Sequence, residues 1–321
     1  MTLWRRWAGF WAREEPAESV ALFRILLGLC ILSMLAVDIP IRDFIWVDRD
    51  HGGFRAISQA RGLMALLGGH TPAAVGGLLV GALLSATTLT LGVLPRLSAL
   101  ICLQIVLALH SSGSPGGSQD TLVTNSLWLL VFARSDATLS LTARWRSGRW
   151  RPRVLIPAWP RYLGILQLML VYQMAGLYKL SAYWHPGGDL SALYTILSNP
   201  AWHRWNLGSL WVTLYPLTQL ATLGTWLFET VGPTTLVAAL YCRHTRSRPG
   251  RLRALLNRWR ARDLFVVSGV GMHLGIMLLM AVGAFSALSL SLYPCFFHPD
   301  EIRGWLDRLT AGQAGERSTS A

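Results

Sequence analysis

Charge is scarce in this chain. Asp, Glu, Lys and Arg supply 14% of its 321 residues and hydrophobic side chains 52%, whereas soluble domains carry about 25% charged residues. Cysteine is scarce too. Cys30, Cys102, Cys242 and Cys295 are scattered without a CxxC pair or a Cys/His cluster, which argues against a disulfide framework and gives no sign of a metal site. The first residues are not expected to act as a secretory leader. MTLWRRWAGFWAREEPAES mixes Trp and Phe with Arg and Glu and has no small-residue cleavage site, so residues 1–17 read as an interfacial segment. Glycine-containing turns lack the strand-to-helix setting of a phosphate loop, so nucleotide binding is not indicated.

Long apolar stretches are what the chain does have. Residues 73–93, 210–228 and 265–285 carry almost no charge, and each is long enough to cross a hydrocarbon core of about 30 Å. The pattern predicts an all-α, polytopic membrane bundle of eight spans, near 18–38, 73–93, 96–110, 118–134, 161–183, 209–241, 264–281 and 282–297. The third, fourth and eighth are short, and Pro216 and Pro233 should kink or break the long sixth. Residues 18–297 form one transmembrane domain in this reading, followed by a cytoplasmic tail, 298–321, whose small polar end is expected to be disordered.

The net charge of +13 reports topology rather than nucleic-acid binding, because the arginines crowd into short loops between apolar runs. Arg144, Arg146, Arg149, Arg151 and Arg153 lie in one loop; Arg243, Arg246, Arg248, Arg251, Arg253, Arg258 and Arg260 lie in another. Both should be cytoplasmic. Both termini then face inward, and segments 39–72, 111–117 and 184–208 face outward.

That orientation puts QMAGLYKLSAYWHPGGDL, residues 173–190, at the outer end of the fifth span. Helical spacing predicts one stripe of Tyr172, Gly176, Lys179 and Tyr183, with Trp184, His185 and the Pro186-Gly187-Gly188 break as a rim. Gly176 would admit a close helix or a flat ligand. A lysine in a dry apolar pocket can act as a base near neutral pH; one this near the interface can instead snorkel to the headgroups. Glu229 is the only charged residue between Leu210 and Cys242. It is either a functional carboxylate or half of a buried pair with Lys179 or Arg24. His273 could stabilise negative charge on a carbonyl or quinone oxygen, or simply join two helices by a hydrogen bond. His110 and Asp120 could line a site entrance or cap helix ends.

The motifs ESVALFRILLGL, SQDTLVTNSLWLLVF, MAGLYKLSAYWHPGG and FETVGP, in that order over residues 15–297, resemble the horizontally transferred transmembrane (HTTM) domain. This is the membrane part of vitamin K-dependent gamma-carboxylase and of many bacterial relatives. The resemblance implies that Lys179 is the base that deprotonates a reduced, vitamin K-like quinone. Oxygen then yields an epoxide, and a strong base formed on the way removes a proton from a substrate glutamate that captures carbon dioxide. It gives no counterpart for His273. The carboxylase also carries a large lumenal domain after its bundle, so propeptide-directed carboxylation is not expected of this chain. Bacterial relatives that resemble sporulation-delaying toxin maturation factors act on a small secreted peptide. The expected function is therefore gamma-carboxylase-like chemistry in the bacterial inner membrane, on a reduced quinone or a small exported peptide. Catalytic candidates are Lys179, Glu229 and His273, and ligand-binding candidates Tyr172, Tyr183, His185, His110 and Asp120, with no metal. The alternative is a non-enzymatic membrane protein that binds lipid or assists maturation or export of a peptide toxin.

Overall fold

The computed structural model describes residues 3–57, 59–110, 117–245 and 247–319. Arg246 and most of the outward turn expected at 111–117 lie outside the described residues. Helices dominate. In chain order they are α1 (Leu3–Trp11), α2 (Glu18–Asp38), α3 (Pro72–Leu91), α4 (Pro95–His110), α5 (Ser118–Phe132), α6 (Trp159–Leu177), α7 (Tyr215–Thr230), α8 (Gly232–His244), α9 (Arg251–Arg258), α10 (Ala261–Leu279), α11 (Phe285–Ser291) and α12 (Pro299–Thr319), with shorter helical turns between them. The bounds of α3 show how local sequence sets them. The Thr71 hydroxyl accepts from the Ala74 amide at 3.2 Å, Pro72 occupies the first turn, and Gly92 stops the helix at φ 71°, a left-handed geometry that suits glycine.

Among the described residues three helical segments are long and apolar enough to cross a membrane: Glu18–Ile45, Pro72–Leu91 and Ala261–Leu279. Pro95–His110 and Phe285–Phe296 are apolar but shorter. Leu29, Val37, Leu84, Val267 and Leu278 are exposed along these segments, an apolar exterior suited to hydrocarbon.

The sixth run is broken at both prolines, as foreseen: a short helix over Leu210–Thr213 ends before α7, which carries Pro216 in its first turn, and Pro233 lies in the first turn of α8; proline is tolerated in a first turn because its missing N–H has no intrahelical partner there. Several local expectations are corrected. The Arg-rich tracts are partly helical, over Leu141–Ser147 and Arg251–Arg258. The tail is helical to Thr319, with Asp300 and Glu301 in its first turn, where carboxylates favour the positive end of the helix dipole. One element was not foreseen in the all-α reading. Glu14–Pro16 pairs antiparallel with Leu155–Pro157, Glu15 facing Ile156, a ribbon too short and proline-rich to show an alternating pattern.

The chain forms two compact units, Met1–Gly164 with Ser291–Ala321, and Ile165–Leu290. In the first unit α2 packs on α3, α3 on α4 and α4 on α5. Gly28 makes the first contact close, since a Cβ there would lie 2.2 Å from the Thr90 hydroxyl. Buried charges hold this unit's polar side together. Arg161 grips Glu15 through two bonds of 2.6 and 2.7 Å and donates to the Cys295 carbonyl at 3.2 Å; Arg303 pairs with the fully buried Glu18. Arg24, also fully buried, donates to the carbonyls of Ser135 at 2.9 Å and Leu139 at 2.6 Å. Each hydrogen bond of this charged kind contributes about 1.5–3 kcal/mol.

The second unit contains most of α6, then α7, α8, α9, α10 and most of α11. Its α10 packs on α7 and α8, and the short helix Ala192–Ser198 packs on α7.

Candidate functional site

Lys179 and Glu229 meet in the second unit. Helix α6 ends at Leu177, and the chain turns immediately: the Lys179 amide donates to the Gly176 carbonyl at 3.2 Å and the Leu180 amide to that of Tyr178 at 3.0 Å. The predicted stripe therefore stops at Gly176, and Lys179 and Tyr183 lie in the turn beyond it. A lysine side chain at a helix end can satisfy the last carbonyls. The Lys179 ammonium donates to the Ala175 carbonyl at 3.4 Å and, by a short ionic bond, to Glu229 Oε2. It also sits 4.7 Å from the centroid of the Trp184 ring, within cation–π range.

Burial makes this pair more than a surface contact. The Lys179 side chain is 17% exposed and that of Glu229 11%. Of the two partners considered for Glu229, the structure supplies Lys179; Arg24 bonds to backbone carbonyls of the first unit instead. Lys179 is also the only lysine in the chain, every other member of the 29 Lys and Arg residues being arginine.

Gly176 brings α6 against the junction of α7 and α8. A Cβ at this position would lie 2.7 Å from the Glu229 carbonyl carbon and 2.8 Å from the Thr230 nitrogen. The space is used by backbone, so of the two uses foreseen for Gly176 it serves helix approach. One residue position away from Tyr172, Gln173 Nε2 donates to the Thr230 carbonyl at 3.0 Å, tying the same surfaces together. Gly176→Ala is expected to lower stability by about 1–3 kcal/mol through overpacking; thermal unfolding in detergent measures it, and an unchanged midpoint would show that the junction yields freely.

A second pair adjoins the first through Phe228, the neighbour of Glu229. The Tyr172 hydroxyl and His273 Nε2 are 2.5 Å apart, both residues buried. Tyr172 packs edge-on against Phe228 at 5.2 Å, and Phe228 stacks on Phe265 at 4.6 Å. His273 thus makes an interhelical hydrogen bond between α10 and α6, the structural role weighed for it.

The other candidates stand apart from these pairs. Tyr183 is exposed and His185 half-buried in the turn after α6, where His185 Nδ1 accepts from the Gly187 amide at 3.2 Å. In the first unit His110 Nε2 lies 3.1 Å from Asp120, and Asp120 caps α5 by accepting from the Gly117 amide at 2.8 Å. Those two residues close helix ends, as the capping alternative proposed. Gln173, Thr230, Phe228 and Phe265 were not foreseen. Gln173 was detectable as a polar residue inside an apolar run; the two phenylalanines carried no signal that separates them from lipid-facing ones. Among the described residues no cluster of three or more His, Cys, Asp or Glu could hold a metal ion.

Comparison with family models, curated proteins and solved structures gave no match.

Proposed function

We propose that this chain is an eight-span protein of the bacterial plasma membrane, with both termini cytoplasmic, in which Lys179 and Glu229 accept a proton in an HTTM-type, gamma-carboxylase-like reaction on a reduced quinone. One observation carries the reading. The chain uses arginine wherever it needs positive charge except at the position that pairs with the lone carboxylate of α7. An amine differs from a guanidinium in that it can be neutral.

Desolvation penalises both charges of a buried pair, so a neutral amine beside a protonated Glu229 becomes accessible when the proton crosses from Nζ to Oε2. Lys179 can then take a second proton, at Nζ, from a substrate hydroxyl, while Glu229 retains the first. The surroundings suit a flat hydroxylated ring: Leu177, Tyr178, Leu180 and Tyr183 are exposed, and Trp184 flanks the ammonium. Tyr172 and His273 act as positioning residues, since Tyr172 supports Phe228 beside Glu229. When bound, a quinol would, with oxygen, supply the strong base of the carboxylase-type reaction, quinol plus oxygen giving epoxide plus water.

Purified protein incubated with vitamin K hydroquinone and oxygen should form the quinone epoxide. Product analysis by chromatography and mass spectrometry checks this. No epoxide above that of a heat-inactivated control, from protein that retains its helical circular dichroism, would count against the quinone reading and favour the non-enzymatic alternative.

A further inference from the structure

The densest positive charge of the second unit lies where α8 ends and α9 begins. A cavity of about 420 Å³ opens there, and its lining includes Arg243, Arg248, Pro249, Gly250, Arg253 and Asn257. None of its lining residues is acidic. Its walls are fixed. Arg253 donates to the Thr245 hydroxyl at 3.0 Å and to the carbonyls of Arg248 at 3.1 Å and Pro249 at 2.6 Å, and Asn257 donates to the Cys242 carbonyl at 3.2 Å. The acidic residue nearest in sequence, Asp263, is engaged by Arg260 at 2.7 Å and Arg262 at 2.6 Å.

Beside this basic cavity is an uncovered apolar stripe. Leu252, Leu255 and Trp259, spaced three and four residues apart, are 63%, 51% and 64% exposed. That spacing places them on one side of α9. Tyr241, near the end of α8, is exposed as well, and Trp and Tyr at helix ends suit the headgroup level of a bilayer.

We propose that α9 lies on the membrane surface and that the arginine cavity receives the phosphate of an anionic phospholipid headgroup. Guanidinium groups suit phosphate because they donate two parallel hydrogen bonds, and basic pockets beside membrane helices suit acidic lipid. The stripe selects lipid over free phosphate: Leu252, Leu255 and Trp259 have use only for an occupant with acyl chains. The inference rests on the membrane reading of the chain and is independent of the quinone reaction.

The test is native mass spectrometry of the full chain in detergent, titrated with phosphatidylglycerol, phosphatidylcholine or inorganic phosphate. Phosphatidylglycerol is expected to be retained about tenfold better than phosphatidylcholine, the excess falling as salt rises because exposed charges are screened. Arg248→Gln should reduce the preference without changing the unfolding midpoint, since Arg253 keeps its contacts with the Thr245 hydroxyl and the Arg248 and Pro249 carbonyls. Leu252→Asn combined with Leu255→Asn should weaken retention of both lipids. Equal retention of the two lipids, or phosphate binding that competes fully with phosphatidylglycerol, would overturn the proposal. A lowered midpoint in the arginine variant moves the decision to the wild-type salt series, where a preference unaffected by salt is equally adverse. Alkaline carbonate extraction keeps the premise separate: wild-type chain released from membranes refutes the membrane reading, whereas retained chain without lipid preference refutes this site alone.

Discussion

Lys179→Arg should give a folded, membrane-inserted protein whose quinone-dependent turnover falls by about 10²–10⁴-fold, the contribution of a positioned general base. Arginine preserves positive charge, length and the ability to donate to Glu229. It does not give up its proton at any ordinary pH, so the variant separates charge from basicity. A lysine that only anchors the end of α6 to the headgroups would be replaced by arginine without loss. The chain's own composition sharpens that contrast, because arginine fills every other basic position. Epoxide formation measured on protein matched for circular dichroism and unfolding midpoint checks the result, and wild-type turnover in Lys179→Arg would remove the base assignment.

The helices were legible because their signals are local. The first four apolar runs became Glu18–Asp38, Pro72–Leu91, Pro95–His110 and Ser118–Phe132, each within about two residues of the apolar limits. Proline at the start of α3 and glycine at its end mark boundaries that chain chemistry alone dictates. The end of α6 was not legible in this way. Leu180, Tyr183 and Trp184 continue the apolar composition past Leu177, and only the fold shows that Gly188 packs against Ala182, where a Cβ would lie 1.9 Å from its carbonyl oxygen. Partner choice followed the same division. Lys179 and Glu229 stand out as lone charges next to or inside apolar runs, so their pairing could be set against one competitor, Arg24. The links of Glu15 to Arg161 and Glu18 to Arg303 join residues 146 and 285 positions apart, and no local pattern carries that information.

Glu229 and Lys179 should be unequal in what their loss does to the fold. Removing one partner of a buried ion pair costs about 3–5 kcal/mol when the other is stranded. Lys179 lies in a turn on a long flexible stem and is 17% exposed, so after Glu229→Leu its ammonium can swing outward and keep the Trp184 ring beneath its path. Glu229 has a short stem inside α7 and is 11% exposed. After Lys179→Met its carboxylate has no comparable route to water, and Lys179→Met should therefore destabilise more than Glu229→Leu. Combining the two should restore most of the loss, because an apolar pair of similar volume can replace a buried ion pair at little net cost. Unfolding midpoints of the four proteins in one detergent, treated as a double-mutant cycle, give the coupling directly. Additive losses would mean that the two side chains do not interact in the folded protein, and the proton-accepting pair would lose its geometric basis.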